Sequence, residues 1–223
     1  MICVIFVLGD YMEYLLYVSN GLIILSFALY ILLILLNSKK KFINDGFSIT
    51  KDILDEFDAI NIIENTGMFT VYNIQRKVIK IASRRYYGKS ISDASIPLIE
   101  AGISVVDNKR NKFINFFRKI IPNLKLLYIF PFIAIGINSI TYGTSDAKIG
   151  ILVLALCVFI SYVMIDIKSA AKYWLNKNVS KISYVDKNGI NSINNFIDRV
   201  ILFDKLIFIG ELLMIIRFVY IIL

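Results

Sequence analysis

Charge comes in blocks along this chain, and the apolar intervals between the blocks set its architecture. Residues 14–36, 124–142, 149–165 and 200–223 are dominated by Ile, Leu, Val and Phe, and the first and third of these runs carry no charged side chain. A helix rises about 1.5 Å per residue and the hydrocarbon layer of a bilayer is about 30 Å thick, so runs of this length predict four transmembrane helices. Pro131 in the second run is tolerable there, because a neighbouring helix can satisfy the carbonyl it frees. Residues 1–13 carry Asp10 and Glu13 and neither Lys nor Arg. Two polar stretches remain, 37–123 and 166–199.

The periodicity changes inside 37–123. Ile53, Phe57 and Ile60 recur at helical spacing, with Thr50 as the expected cap, Asp52 near the positive end of the dipole and Gly67 as the stop. Residues 68–72 and 74–82 are rich in β-branched and aromatic side chains and predict two strands, with a tight turn at Asn73. Ser90 or Ser92 can cap the helix that follows. Pro97 sits within it, costing about 3 kcal/mol in a helix interior, or nothing if the helix starts near Ile96 and the proline falls in its first turn. In 112–121, Phe113, Phe116, Phe117, Ile120 and Ile121 share one face, while Lys112, Asn115, Arg118 and Lys119 share the other. This is the pattern of an interfacial helix lying among headgroups. The expected fold is an α-helical integral membrane protein with four transmembrane helices and a small α+β domain. That domain is formed by 37–123 and completed by the helical segment 166–199.

Composition sharpens this picture. Of the 223 residues 57% are hydrophobic, and the formal net charge is +8. In such a chain Lys and Arg mark cytoplasmic flanks and contact anionic lipid, so the basic excess does not point to nucleic acid. The stretch 37–123 holds 15 Lys or Arg against nine Asp or Glu, and 168–199 holds six against two. The positive-inside rule therefore predicts a multi-pass protein of the cell membrane with both termini outside and both polar stretches in the cytoplasm. No basic residue precedes the first apolar run and no small-residue cleavage site follows it, so an uncleaved anchor is expected. Cys3 and Cys157 lie in apolar runs and read as small hydrophobes. The chain has no histidine, which removes the usual catalytic base, zinc ligand and pH switch together.

The run Ser90-Ile-Ser-Asp-Ala-Ser-Ile-Pro-Leu-Ile-Glu-Ala-Gly-Ile-Ser-Val-Val-Asp107 carries the strongest likeness to known chemistry. With Ile53-Leu-Asp-Glu56, Tyr72-Asn-Ile-Gln-Arg-Lys-Val-Ile-Lys-Ile-Ala-Ser83 and Tyr87-Gly-Lys-Ser90, it resembles the bacterial membrane neutral zinc metallopeptidases, the YugP-like group. In that family a strand and a turn lead into a helix bearing H-E-x-G-H. Asp166-Ile-Lys-Ser-Ala-Ala-Lys172 resembles the family segment that supplies a third zinc ligand, and Glu211-Leu-Leu-Met-Ile-Ile-Arg217 resembles its final helix. The order of the membrane runs agrees across roughly the whole chain. The resemblance implies a zincin-like domain, a zinc ion, Glu100 as the general base, and metal positions at Ile99, Ile103 and Asp166. It also implies a substrate-pairing edge strand of Lys77, Val78, Ile79, Lys80, Ile81 and Ala82. An ordinary hairpin packed on a helix is the other reading of that strand.

The ligand positions have lost their chemistry. Two imidazoles at i and i+4 reach one zinc, whose water the Glu polarises. Here the frame reads Ile99-Glu100-Ala101-Gly102-Ile103, so Glu100 is a vestigial base and no cofactor is expected. A salt bridge to a base such as Lys168 is the structural alternative for Glu100. No Ser/His or Cys/His pair is possible, no Ser–Lys spacing stands out, and Gly136, Gly143 and Gly150 are isolated rather than clustered in a phosphate loop. Glu211 and Arg217 lie deep in the last run, where unpaired charge is costly and each calls for a partner on another span or a wet cavity. The leading expectation is a catalytically inactive pseudopeptidase, a membrane-anchored binding or regulatory protein. Its partners would be the lipid bilayer and a membrane protein or peptide, such as an active homologue or a membrane protease complex. An active metallopeptidase with a non-standard metal site and a small transporter or channel component are the alternatives.

Overall fold

The computed structural model describes residues 2–39, 41, 44–55, 60–73, 75–107, 128–141, 143–178, 185 and 187–223, with backbone alone for 2–10. The protein is mostly helical, with one small sheet. Its elements are α1 (Ile2–Asn37), α2 (Gly46–Leu54), β1 (Asn61–Asn65), β2 (Val71–Asn73), β3 (Val78–Ala82), α3 (Ser83–Tyr86), α4 (Ile91–Asp107), α5 (Phe130–Ile140), α6 (Thr144–Asn178) and α7 (Lys187–Ile222). They form two compact units. A helical unit comprises Met1–Leu29, Tyr128–Val163 and Leu202–Leu223, and an α/β unit comprises Tyr30–Leu127 and Met164–Ile201.

The helical unit reverses the usual burial of side chains. Ile23, Ala134, Ala147, Leu154, Cys157, Ile207, Met214 and Phe218 form its core. Ser19, Asn138, Thr141, Ser161, Asp204, Glu211 and Arg217 are buried beside them, while Ile24, Leu25, Ile149, Leu152, Ile209 and Ile216 face outward. Among the described residues two stretches are long and apolar enough to cross a membrane, Tyr11–Asn37 and Thr144–Asn178. Of the other two expected spans, 124–142 is described in part and 200–223 is continuous with the polar residues before it. α5 is an 11-residue helix, which at the usual rise covers about 16 Å, roughly half a bilayer's hydrocarbon; residues 124–127 and 142 lie outside the described residues. The run 200–223 is the second half of α7, which starts at Lys187, and α6 continues unbroken through Asp166 to Asn178. The segment 166–199 is therefore mainly the polar halves of two long helices. The expected interfacial helix 112–121 lies outside the described residues.

In the α/β unit, β3 is the central strand, in the order β1-β3-β2. β1 runs parallel to it, Asn61 opposite Val78 through Asn65 opposite Ala82, and β2 runs antiparallel. This corrects two expectations. The helix read from Ile53, Phe57 and Ile60 stops at Leu54, and the residues assigned to its later turns include strand β1. Its cap is Asp45, whose Oδ1 accepts from the Ser48 N–H at 2.7 Å, whereas Thr50 lies inside the helix with its hydroxyl on the Gly46 carbonyl. The β2–β3 hairpin is wider than a tight turn at Asn73. Asn73 Oδ1 accepts from the Arg76 N–H at 3.0 Å, and Lys77 adopts a left-handed φ of 49° before β3 begins.

α4 starts on a capping box. Ser90 Oγ accepts from the Asp93 N–H at 3.1 Å, and Asp93 Oδ2 accepts from the Ser90 N–H at 3.2 Å and its hydroxyl at 2.6 Å. Ser90 is thus the cap, and Pro97 lies beyond the first turn, inside the helix. A proline there has no N–H for the Asp93 carbonyl four residues back. Gly46 approaches that carbonyl so closely that a Cβ would collide with the backbone oxygens of Asp93 and Arg85. The glycine at the start of α2 lets it seat against the first turn of α4.

Candidate functional site

Glu100 stands at the middle of α4 with Ile99 and Ile103 beside it, and all three are buried, at 7%, 7% and 2% exposure. The carboxylate Oε2 accepts the backbone N–H of Tyr72 at 3.0 Å. Tyr72 lies on β2, an outer strand of the sheet, so the carboxylate fills a hydrogen-bonding position that a strand edge leaves open. Its charge also acts on Arg85. Burial pushes that guanidinium below its ordinary value, while the Tyr30 phenol and the carboxylates of Asp93 and Glu100 oppose the shift.

Gly102, two residues on, is the point of contact with α6. A Cβ there would press on the Ala171 methyl and carbonyl, at 2.9 and 3.0 Å. This brings α6 against the helix that holds Glu100. Asp166 is half-buried and Lys168 is buried at 6% exposure on the same helix.

These residues do not fit a zinc ion. A catalytic zinc takes three protein ligands from nitrogen, sulfur or carboxylate oxygen. Ile99 and Ile103 have no donor atom and are packed into the core, and Glu100 is engaged with the β2 backbone. Among the described residues no three of the His, Cys, Asp or Glu type come together as a metal-holding group.

The expected substrate strand is corrected by the sheet order. Lys77 precedes β3, and Val78, Ile79, Lys80, Ile81 and Ala82 form its central strand, with β1 on one side and β2 on the other. Val78–Lys80 is paired on both sides, and beyond β2 the Ala82 N–H is taken by Thr70 Oγ1 at 3.1 Å, so the strand is not an edge strand open to a peptide. Sequence periodicity identified the strand; its place in the sheet depends on β1, which is paired across the loop and hairpin that intervene.

The two charges of the last apolar run fare differently. Arg217 finds partners: Nη1 donates to the Asn138 carbonyl at 2.8 Å and to Asn138 Oδ1 at 3.0 Å, and Nη2 donates to the Thr141 carbonyl at 3.2 Å. It therefore caps the C-terminal end of α5, where helix carbonyls lack donors and carry partial negative charge. Asn138 in turn donates to Ser19 Oγ at 3.1 Å and Asn20 Oδ1 at 2.9 Å on α1. Glu211 is fully buried, and among the described residues neither carboxylate oxygen has a partner in hydrogen-bond geometry. Cys157 and Ser161, one turn apart on α6, are the polar side chains that face it. Asn138 was not singled out in the sequence, although an asparagine in an apolar run is itself a signal of an interhelical hydrogen bond.

Compared with family models, curated proteins and solved structures, the chain gives no match.

Proposed function

We propose that this chain is a multi-pass membrane protein whose α/β unit is a catalytically inactive, metallopeptidase-like module that works by binding a membrane protein or peptide. The observation that carries the reading is the commitment of Glu100. In a working site that carboxylate would face a metal-bound water; here it holds the Tyr72 N–H of β2 between two buried isoleucines. The reversed burial of the helical unit supports placing it in a bilayer, because hydrocarbon solvates outward-facing Ile and Leu while polar groups find partners inside. The basic excess of residues 37–123 and 168–199 supports a cytoplasmic α/β unit.

The test is metal content. Purified protein is incubated with zinc, desalted and analysed by mass spectrometry. Near-zero zinc is expected. About one zinc per chain, with peptide cleavage that disappears in Glu100→Gln, overturns the reading in favour of an enzyme.

A further inference from the structure

We infer that Glu211 is a proton-binding site, a carboxylic acid that keeps its proton inside the helical unit between α6 and α7. The residue lies on the seam of α7 formed by Ile207, Met214 and Phe218, all buried in the same core. The side chains that face it carry no compensating charge among the described residues. From α6 it meets the Cys157 thiol and the Ser161 hydroxyl, neither of them a cation. From α1, Ile23 and the Ser19 carbonyl pack against the adjacent Gly210. At the C-terminal end of α5, Asn138 and the capping residue Thr141 are taken up by Arg217.

Arg217 itself is six residues along α7, roughly 9 Å along the axis and about 120° around it, and so faces elsewhere. Asp204, two turns back, accepts from the Tyr128 hydroxyl at 3.2 Å. Among the described residues Glu211 has no ion pair, and the donor facing its carboxyl is the neutral Ser161 hydroxyl, which does not reach hydrogen-bond geometry. An ionised carboxylate buried there would have no counter-charge among these residues, and such groups become neutral instead. The ligand that neutralises it is a proton. This needs only the packing of α6 against α7, and it stands or falls independently of the peptidase-like reading of the α/β unit.

The test compares wild type with Glu211→Gln by infrared difference spectroscopy on the full chain in lipid nanodiscs at neutral pH. The expected result is the loss of one carboxylic-acid C=O band, with the carboxylate bands unchanged. Loss of a carboxylate pair of bands instead means an ionised Glu211 with a bound cation and overturns the inference. The variant also supplies a stability readout. A neutral amide replaces a neutral acid with little change in shape, so an unchanged unfolding midpoint is expected. A Glu211→Gln chain that fails to fold overturns the inference as well.

Discussion

Arg217 shows how one side chain can decide whether a helix end is tolerable away from water. The last carbonyls of α5 have no intrahelical donor, and the guanidinium fork supplies two donors to them and to Asn138. Arg217→Leu leaves those acceptors buried and unpaired, and a loss of about 2–4 kcal/mol is expected in reversible unfolding. Arg217→Lys keeps the charge but not the fork and is expected to fall between. Glu100 makes the contrasting case. Glu100→Gln keeps an acceptor for the Tyr72 N–H and should cost about 1 kcal/mol, whereas Glu100→Leu removes it and should cost more; denaturant unfolding separates the two.

A third residue-scale effect is exposed and pH-dependent. The Tyr87 hydroxyl donates to Glu64 at 2.9 Å, and this bond raises the phenol above its ordinary value. Because the folded value is the higher one, the stabilisation is present below the ordinary tyrosine range near pH ~10 and is lost as pH rises through the folded value. Tyr87→Phe should flatten that part of the alkaline stability profile.

Among elements, contact between α4 and its neighbours depends on the absence of side chains. Gly102→Ala puts a methyl against Ala171, and a loss of about 1–3 kcal/mol is expected as α4 and α6 are forced apart. Gly46→Ala should be worse, since its obstacle is the backbone at Asp93 and Arg85, which has less room to give. Thermal unfolding of the two variants checks the order. A cap for α4 at Ser90 or Ser92 was legible beforehand because capping is local; the hydrogen bonds with Asp93 single out Ser90. β1 was not legible: the same Ile-rich stretch satisfies a helical spacing, and pairing with β3 across the intervening loop and strand decides the matter.

At the scale of the whole molecule, the prediction concerns solvent. Leu152 is 73% exposed on the helical unit. A nitroxide attached to a cysteine replacing Leu152, in reconstituted protein, should be relaxed more strongly by oxygen dissolved in lipid than by a water-soluble nickel complex. Stronger relaxation by the nickel complex would place that face in water and remove the bilayer assignment.

The sequence by itself determined the long apolar helices and the absence of any imidazole. Helix hydrogen bonds close within a few residues, so run length and composition suffice for the first. The second is a fact of covalent structure, since the chain has no histidine. Only the tertiary structure decided that β3 is central, that Glu100 serves the β2 backbone, and that Arg217 caps a helix end while Glu211, among the described residues, faces no counter-charge. Each of these turns on groups brought together from distant parts of the chain, and no local pattern in a sequence encodes which of them meet.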